Sequence, residues 1–173
     1  MSKLTKKTLF FYGLTDLPIA MSLFPVMVFI PRFYASDMGV PLVLLGTILF
    51  FVRWSDVITD PLMGYISDHT RSRFGRRKIW IVLSTPLMML SVYQLFLPPQ
   101  GAGALHLALW SVLLSIAITM MLIPYYAWGA ELSKDYNERS RITGSRGMFS
   151  ALGSLAAQLI PALALLLFGI GGT

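Results

Sequence analysis

Asp56 and Asp60 stand four residues apart in the run Phe50-Phe51-Val52-Arg53-Trp54-Ser55-Asp56-Val57-Ile58-Thr59-Asp60-Pro61. On a helix that spacing puts both carboxylates on one face. Charges within a bilayer are expensive and are retained mainly where they pair or bind something. Thr59 adds a hydroxyl beside the pair. Carboxylates with hydroxyls suit a hard monovalent cation, and equally a proton taken up by one of the acids. Sharing one cation would relieve the repulsion between the two acids and tie occupancy to helix position. A structural network is the alternative reading. Arg53 lies three residues from Asp56 on the same face, and a structural role as its partner is the one favoured for Arg53.

Three predicted spans bring oxygen groups to a similar depth. At ~1.5 Å per residue, Asp56 and Thr119 lie ~18 Å from the inner ends of their helices, Asp16 ~13 Å and Asp60 ~12 Å. Asp16 alone reads either as functional or as a hydrogen-bonded packing acid.

The elements that must position these groups follow from composition and patterning. The chain has 173 residues, 55% hydrophobic and 13% charged, with a mean hydropathy of +0.68. A soluble domain of this size could not hide that much apolar surface, so an all-α polytopic membrane protein is expected. There is no cysteine, which excludes disulfides and thiolate metal sites. The net charge of +6 comes from residues clustered at helix ends, where they meet an anionic leaflet rather than nucleic acid. The lysines ahead of the first apolar run imitate a signal peptide, but the run is too long for one and contains Asp16, so it is read as a retained span.

Five transmembrane helices are predicted, over about 8–31, 41–66, 79–97, 103–130 and 144–170, each with roughly the 20 residues needed to cross the hydrocarbon. Together they make a single transmembrane domain over 1–173. The breaks are Pro31 to Pro41, the loop Asp68–Lys78, Pro98-Pro99-Gln100-Gly101, and the polar loop Glu131–Thr143. An N-terminus inside puts Lys3, Lys6, Lys7, Arg71, Arg73, Arg76, Arg77, Lys78, Lys134, Arg139, Arg141 and Arg146 on the inner side. Of the 14 basic residues only Arg32, on an outer loop, and Arg53, within the second span, fall elsewhere. That asymmetry predicts a cytoplasmic N-terminus. Internal prolines at 18, 25, 86, 124 and 161 are tolerable where neighbouring helices satisfy the freed carbonyls. Pro18 and Pro124 lie near polar positions, where a bend could line a cavity. Gly147, Ala151, Gly153, Ser154 and Ala157 suit close helix contact in the fifth span. His69 reads as solvated and His106 as interfacial, and the two give no metal signature. Trp80 and Trp110 fit interfacial or lipid-facing positions.

The loop Gly64-Tyr65-Ile66-Ser67-Asp68-His69-Thr70-Arg71-Ser72-Arg73-Phe74-Gly75-Arg76-Arg77-Lys78 is more ordered than a plain positive-inside loop requires. Gly64 is expected to let a neighbouring helix approach, Asp68 to hold arginines, and Gly75 to turn the chain into the next span.

These residues resemble a family. Asp56-x-x-x-Asp60-Pro61-x-x-Gly64-x-x-x-Asp68 followed by Gly75-Arg76-Arg77 looks like the second-helix and loop signature of the glycoside–pentoside–hexuronide:cation symporters, the melibiose permease relatives within the major facilitator superfamily. Ile123-Pro124-Tyr125, Gly129-Ala130-Glu131-Leu132, Asp135-Tyr136-Asn137-Glu138-Arg139 and Tyr12-Gly13-x-x-Asp16 are similar to further parts of it. The resemblance implies an inner-membrane carrier of twelve helices in two halves, alternating access, and sugar uptake driven by sodium, lithium or a proton, with no other cofactor. It implies that Asp56 and Asp60 bind the cation with Thr119 and Thr59, the latter standing where the melibiose carriers have an amide. It implies that Asp16 and Arg146 contact the sugar. The family's second sugar-binding acid falls on Leu122, and a tryptophan after it falls near Tyr126, so another glycoside, a uronide or a non-sugar amphiphile stays open. Arg53, Gly64, Asp68, Gly75, Arg76 and Arg77 would form the structural or gating loop set.

Five spans are a partial amino-terminal half of that fold. The expectation is an amino-terminal fragment, a truncated product or one part of a split carrier, whose partners are the bilayer, a small solute and the remaining carboxy-terminal helices. A membrane enzyme using Asp56 and Asp60 as an acid–base pair is disfavoured, since such groups usually sit near an aqueous interface and these lie deep. A structural or assembly subunit without a ligand is the remaining alternative.

Overall fold

The computed structural model describes residues 4–73, 75–133 and 135–168. They form six helices, with no strand among the described residues: α1 (Lys6–Leu14), α2 (Asp16–Ser36), α3 (Leu42–His69), α4 (Lys78–Phe96), α5 (Ala104–Leu132) and α6 (Tyr136–Phe168). Four stretches are long and apolar enough to cross a membrane: Lys6–Ser36, Leu42–His69, Lys78–Phe96 and Ala104–Leu132. The protein is therefore an all-α, multi-pass membrane protein. The fifth predicted span corresponds to α6, which opens on the polar run Tyr136–Arg141 and becomes apolar toward its C-terminal end. Residues 169–170 of that span, and Lys3 and Lys134 among the inner-side cations, lie outside the described residues.

Three predicted boundaries are corrected. The first span is not one helix over 8–31 but two, broken at Thr15. Pro18 supplies no N–H to the carbonyl four residues back, at Leu14, and the ladder lapses there. The second of the two helices runs through Pro31 to Ser36, because proline's fixed φ is helical and only one carbonyl loses its donor. The last helix starts at Tyr136 rather than 144. Asp135 caps it, its Oδ1 accepting from the N–H groups of Asn137 at 2.9 Å and Glu138 at 3.1 Å, which satisfies two donors left open by the first turn.

The chain divides into two compact units, one holding residues up to Val28 and from Gly129 onward, the other Phe29–Trp128. In the first unit α1 packs on α6: Phe10 and Phe149 meet edge to face at 5.3 Å, and Ser145 Oγ donates to the Leu9 carbonyl at 2.8 Å. The backbones come close because residues are missing side chains where they cross. A Cβ at Gly153 would strike the Leu17 carbonyl, and one at Gly13 would strike Ser145. Gly147, by contrast, has open space around it, so its place in the small-residue set is not a packing requirement. Glu138 is buried and accepts from Arg141 Nη1 at 2.7 and 2.9 Å and from the Leu4 N–H at 3.1 Å.

In the second unit the buried hydroxyls set the pattern. Ser84 and Ser91 on α4 turn back onto their own helix, donating to the carbonyls of Ile81 and Leu87, a local bond that removes any need for a partner. Ser111, Ser115 and Thr119 on α5 are also buried. They recur every four residues and so form one polar stripe on an otherwise apolar helix. The turn between α4 and α5 is held by His106 Nε2, 2.9 Å from the Gln94 carbonyl. At Gly64, expected to let a neighbouring helix approach, a Cβ would meet Ile123 of α5 at 3.8 Å, an ordinary contact.

Candidate functional site

The stripe on α5 answers the acids on α3. Ser115 Oγ donates to Asp56 Oδ1, and Thr119 Oγ1 donates to Asp60 Oδ1 at 2.8 Å. Both pairs are 59 residues apart, so the two helices run parallel in one register, and each acid meets one hydroxyl per turn. A hydrogen bond to a charged group contributes about 1.5–3 kcal/mol. Each bond uses one carboxylate oxygen of its acid, and a carboxylate has about four acceptor positions. Thr59 Oγ1, one residue before Asp60 in the chain, is buried with no hydrogen-bond partner among the described residues. Two carboxylates and up to three hydroxyl oxygens are a donor set for a hard cation.

Arg53 contributes less than its spacing suggested. Its Nη1 lies 3.5 Å from Asp56 Oδ2, and its side chain is 68% exposed against 22% for the acid. The contact is at the limit of a hydrogen bond.

The remaining predicted residues fall into three places. In the first unit, Asp16 opens α2 at the break and is buried, and Arg146 Nε donates to its Oδ2 at 2.7 Å. The α-helical N-terminus also favours an acid at that position. Removing one partner of such a buried pair typically costs about 3–5 kcal/mol. Tyr126 belongs to the second unit, is 41% exposed and lies beside Tyr125. In the loop after α3, Arg77 Nη2 donates to Asp68 Oδ1 at 3.1 Å. Gly75 has φ +101°, the left-handed conformation that favours glycine. Arg76 is exposed at the same turn. Trp80 Nε1 donates to Thr70 Oγ1 at 3.0 Å, fastening the start of α4 to the end of α3.

Ser115 is the site residue that sequence reasoning missed. Its signal was present: 115 and 119 repeat the four-residue step of 56 and 60, and only parallel helices in register bring both pairs together.

In the second unit two half-buried acids of one long apolar helix are thus held against hydroxyls of another. The chain belongs to the family described as MFS/sugar transport protein, whose profile matches residues 11–173. It is similar to an uncharacterised symporter of Synechocystis, 32% identical over 145 residues, which is 78% of this chain and 27% of that protein. It is similar to YagG of Escherichia coli K12, provisionally named a glycoside/cation symporter, 30% identical over 159 residues, 90% of this chain and 35% of the relative. It is also similar to sodium-dependent lysophosphatidylcholine symporter 1 of Xenopus tropicalis, 32% identical over 136 residues, 76% of this chain and 24% of the relative. The chain thus spans about a quarter to a third of the length of these curated relatives.

Proposed function

We propose that this chain forms the cation-coupling portion of a secondary symporter that moves a glycoside-type solute with sodium, lithium or a proton. The observation that carries this reading is the paired ladder of Ser115 on Asp56 and Thr119 on Asp60. A monovalent cation held by the two acids of α3 and the hydroxyls of Ser115 and Thr119 would tie α3 to α5, and without it the two carboxylates on α3 would repel one another. Occupancy would then bias the helix arrangement on which alternating access depends. Asp16 and Arg146 would serve the solute, an acceptor and a donor side by side for sugar hydroxyls; Tyr126 is a separate solute-binding candidate of the second unit. Asp68, Arg77 and Gly75 would hold the loop between α3 and α4 through the movement, with Arg76 exposed at its turn. The chain transports rather than transforms. Its N-terminus is cytoplasmic, in the inner membrane, and further helices of the same carrier complete the path.

A second reading keeps the cation site and changes the solute to a zwitterionic amphiphile. It is supported by the similarity to a lysophosphatidylcholine symporter and by Leu122 standing where a second sugar-binding acid would be expected.

Proteoliposomes holding the complete carrier decide between them. Uptake of labelled glycosides and of lysophosphatidylcholine is measured with and without an inward sodium or proton gradient. The proposal expects gradient-driven accumulation of one solute, lost in both Asp56→Asn and Asp60→Asn. Accumulation that survives neutralisation of both acids together sinks the coupling role.

A further inference from the structure

We propose that the pocket where α2 and α4 end binds the headgroup and first acyl carbons of a zwitterionic phospholipid from the surrounding leaflet. The pocket lies in the second unit and has a volume of about 400 Å³, within the range usual for small-ligand sites, roughly 300–1,000 Å³. Phe29, Phe33 and Phe96 form its apolar wall, and Arg32, Ser36 and Asp37 its polar one. It sits at the end of α4 away from the basic loop that precedes Lys78, where the apolar stretches Lys6–Ser36 and Lys78–Phe96 end.

Three features point to the occupant. Arg32 and Asp37 are both exposed, and neither side chain makes a hydrogen bond or ion pair among the described residues. One cation and one anion five residues apart along the chain match the phosphate and the ammonium of one headgroup, the guanidinium fitting phosphate oxygens as a fork. Arg32 lies one turn before the end of α2, and Asp37 just beyond that end stands where an anion is disfavoured. A carboxylate held there, with no ion-pair partner among the described residues, gains most from a cationic ligand. The three phenylalanines give the adjoining glycerol and acyl carbons an apolar seat. An anionic lipid would satisfy Arg32 and be repelled by Asp37, so the pair selects against it. The inference stands apart from the transport reading, because none of its residues belongs to the cation or solute sets.

The test uses the chain purified in a detergent free of phosphate. It is titrated with phosphatidylethanolamine, phosphatidylglycerol or diacylglycerol, and retained lipid is counted by native mass spectrometry. The unmodified chain is expected to retain phosphatidylethanolamine in preference to the other two. Arg32→Gln should weaken retention of phosphatidylethanolamine about tenfold, the scale of one lost charge-assisted contact, and Arg32→Lys should recover part of it. Asp37→Asn should abolish the preference over phosphatidylglycerol. Equal retention of all three lipids by the unmodified chain overturns the proposal without any variant, and a preference for the anionic lipid overturns it in favour of simple charge attraction. So does retention that Arg32→Gln leaves unchanged while helicity by circular dichroism stays intact.

Discussion

Asp16 in the first unit accepts from the guanidinium of Arg146 at 2.7 Å, whereas Asp56 and Asp60 in the second accept from neutral hydroxyls. All three acids sit on helices long and apolar enough to cross a membrane. In the first place the charge is compensated by the chain itself. In the second, hydroxyl donors hold the acids in position, and among the described residues no cation pairs with Asp60 and only Arg53, at 3.5 Å, approaches Asp56. A charge that is oriented but not neutralised is one whose compensation is left to a ligand. The same residue type therefore stands in two settings: Asp16 is paired with a guanidinium of its own chain, and the α3 pair is held by hydroxyls, with only the weak Arg53 contact at Asp56 besides, among the described residues.

The contrast breaks most visibly at Arg146. Arg146→Ala leaves Asp16 buried beside no cation, and a loss of about 3–5 kcal/mol is expected, read as a lowered unfolding midpoint of the purified chain in a denaturing-detergent titration. Asp16→Asn in the same background should recover much of it, since the orphaned charge is then gone. Asp60→Asn, in contrast, should leave the midpoint nearly unchanged or raise it. A midpoint that falls as far for Asp60→Asn as for Arg146→Ala would erase the distinction between a compensated acid and an available one.

Packing gives the next largest effect. Gly153→Ala drives a methyl into the Leu17 carbonyl, and overpacking of this kind typically costs about 1–3 kcal/mol. Gly147→Ala, with open space around it, should be neutral or slightly stabilising through helix propensity. The same unfolding titration separates the two, and a cost for Gly147→Ala equal to that for Gly153→Ala would show that the crossing is elsewhere.

These two glycines also mark what the sequence could reveal. Helix type and the approximate course of the spans were legible, because apolar runs of about 20 residues have few other uses; the break at Thr15 that makes six helices of the five expected was not. So were the acids of α3, since charge in such a run is conspicuous. The loop chemistry of Asp68, Gly75 and Arg77 was legible from residue type. Which of several small residues meets a neighbour was not, since Gly153 and Gly147 look alike until helix rotation is known. The early start of α6 was written in Asp135-x-x-Glu138, a capping pattern hidden inside a stretch polar enough to read as loop. The partner of Asp16 could not come from spacing, because Arg146 lies 130 residues away and entered only through family resemblance. Ser115 was passed over because a serine in a membrane helix usually bonds its own backbone, as Ser84 and Ser91 do.

Ser115 sharpens the comparison within the second unit. Ser115→Ala removes the donor to Asp56 and one oxygen of the donor set, and cation affinity should fall about tenfold, the scale of one hydrogen bond to a charge. Trp54, two residues from Asp56, offers the readout as sodium-dependent fluorescence of the purified chain. Ser115→Thr keeps the hydroxyl and should keep the affinity. An unchanged sodium response in Ser115→Ala would leave Asp60 and Thr119 as the working pair and make the Asp56 bond a packing contact.

The smallest effect is expected at Arg53, and it separates two roles for that residue. Were Arg53 the permanent counter-charge of Asp56, Arg53→Gln would uncover a buried anion, destabilise the chain and raise cation affinity steeply. The observed contact is 3.5 Å long and the guanidinium 68% exposed, a geometry whose ion pairs contribute about 0–1 kcal/mol. Arg53→Gln should therefore leave the unfolding midpoint within that range and sharpen the fluorescence response to sodium by no more than a few-fold. The small gain follows because even a screened cation competes weakly for the same carboxylate. A steep rise in affinity, coupled to a large fall in stability, would mean that Asp56 is compensated as Asp16 is, and that Asp60 alone is left to a ligand.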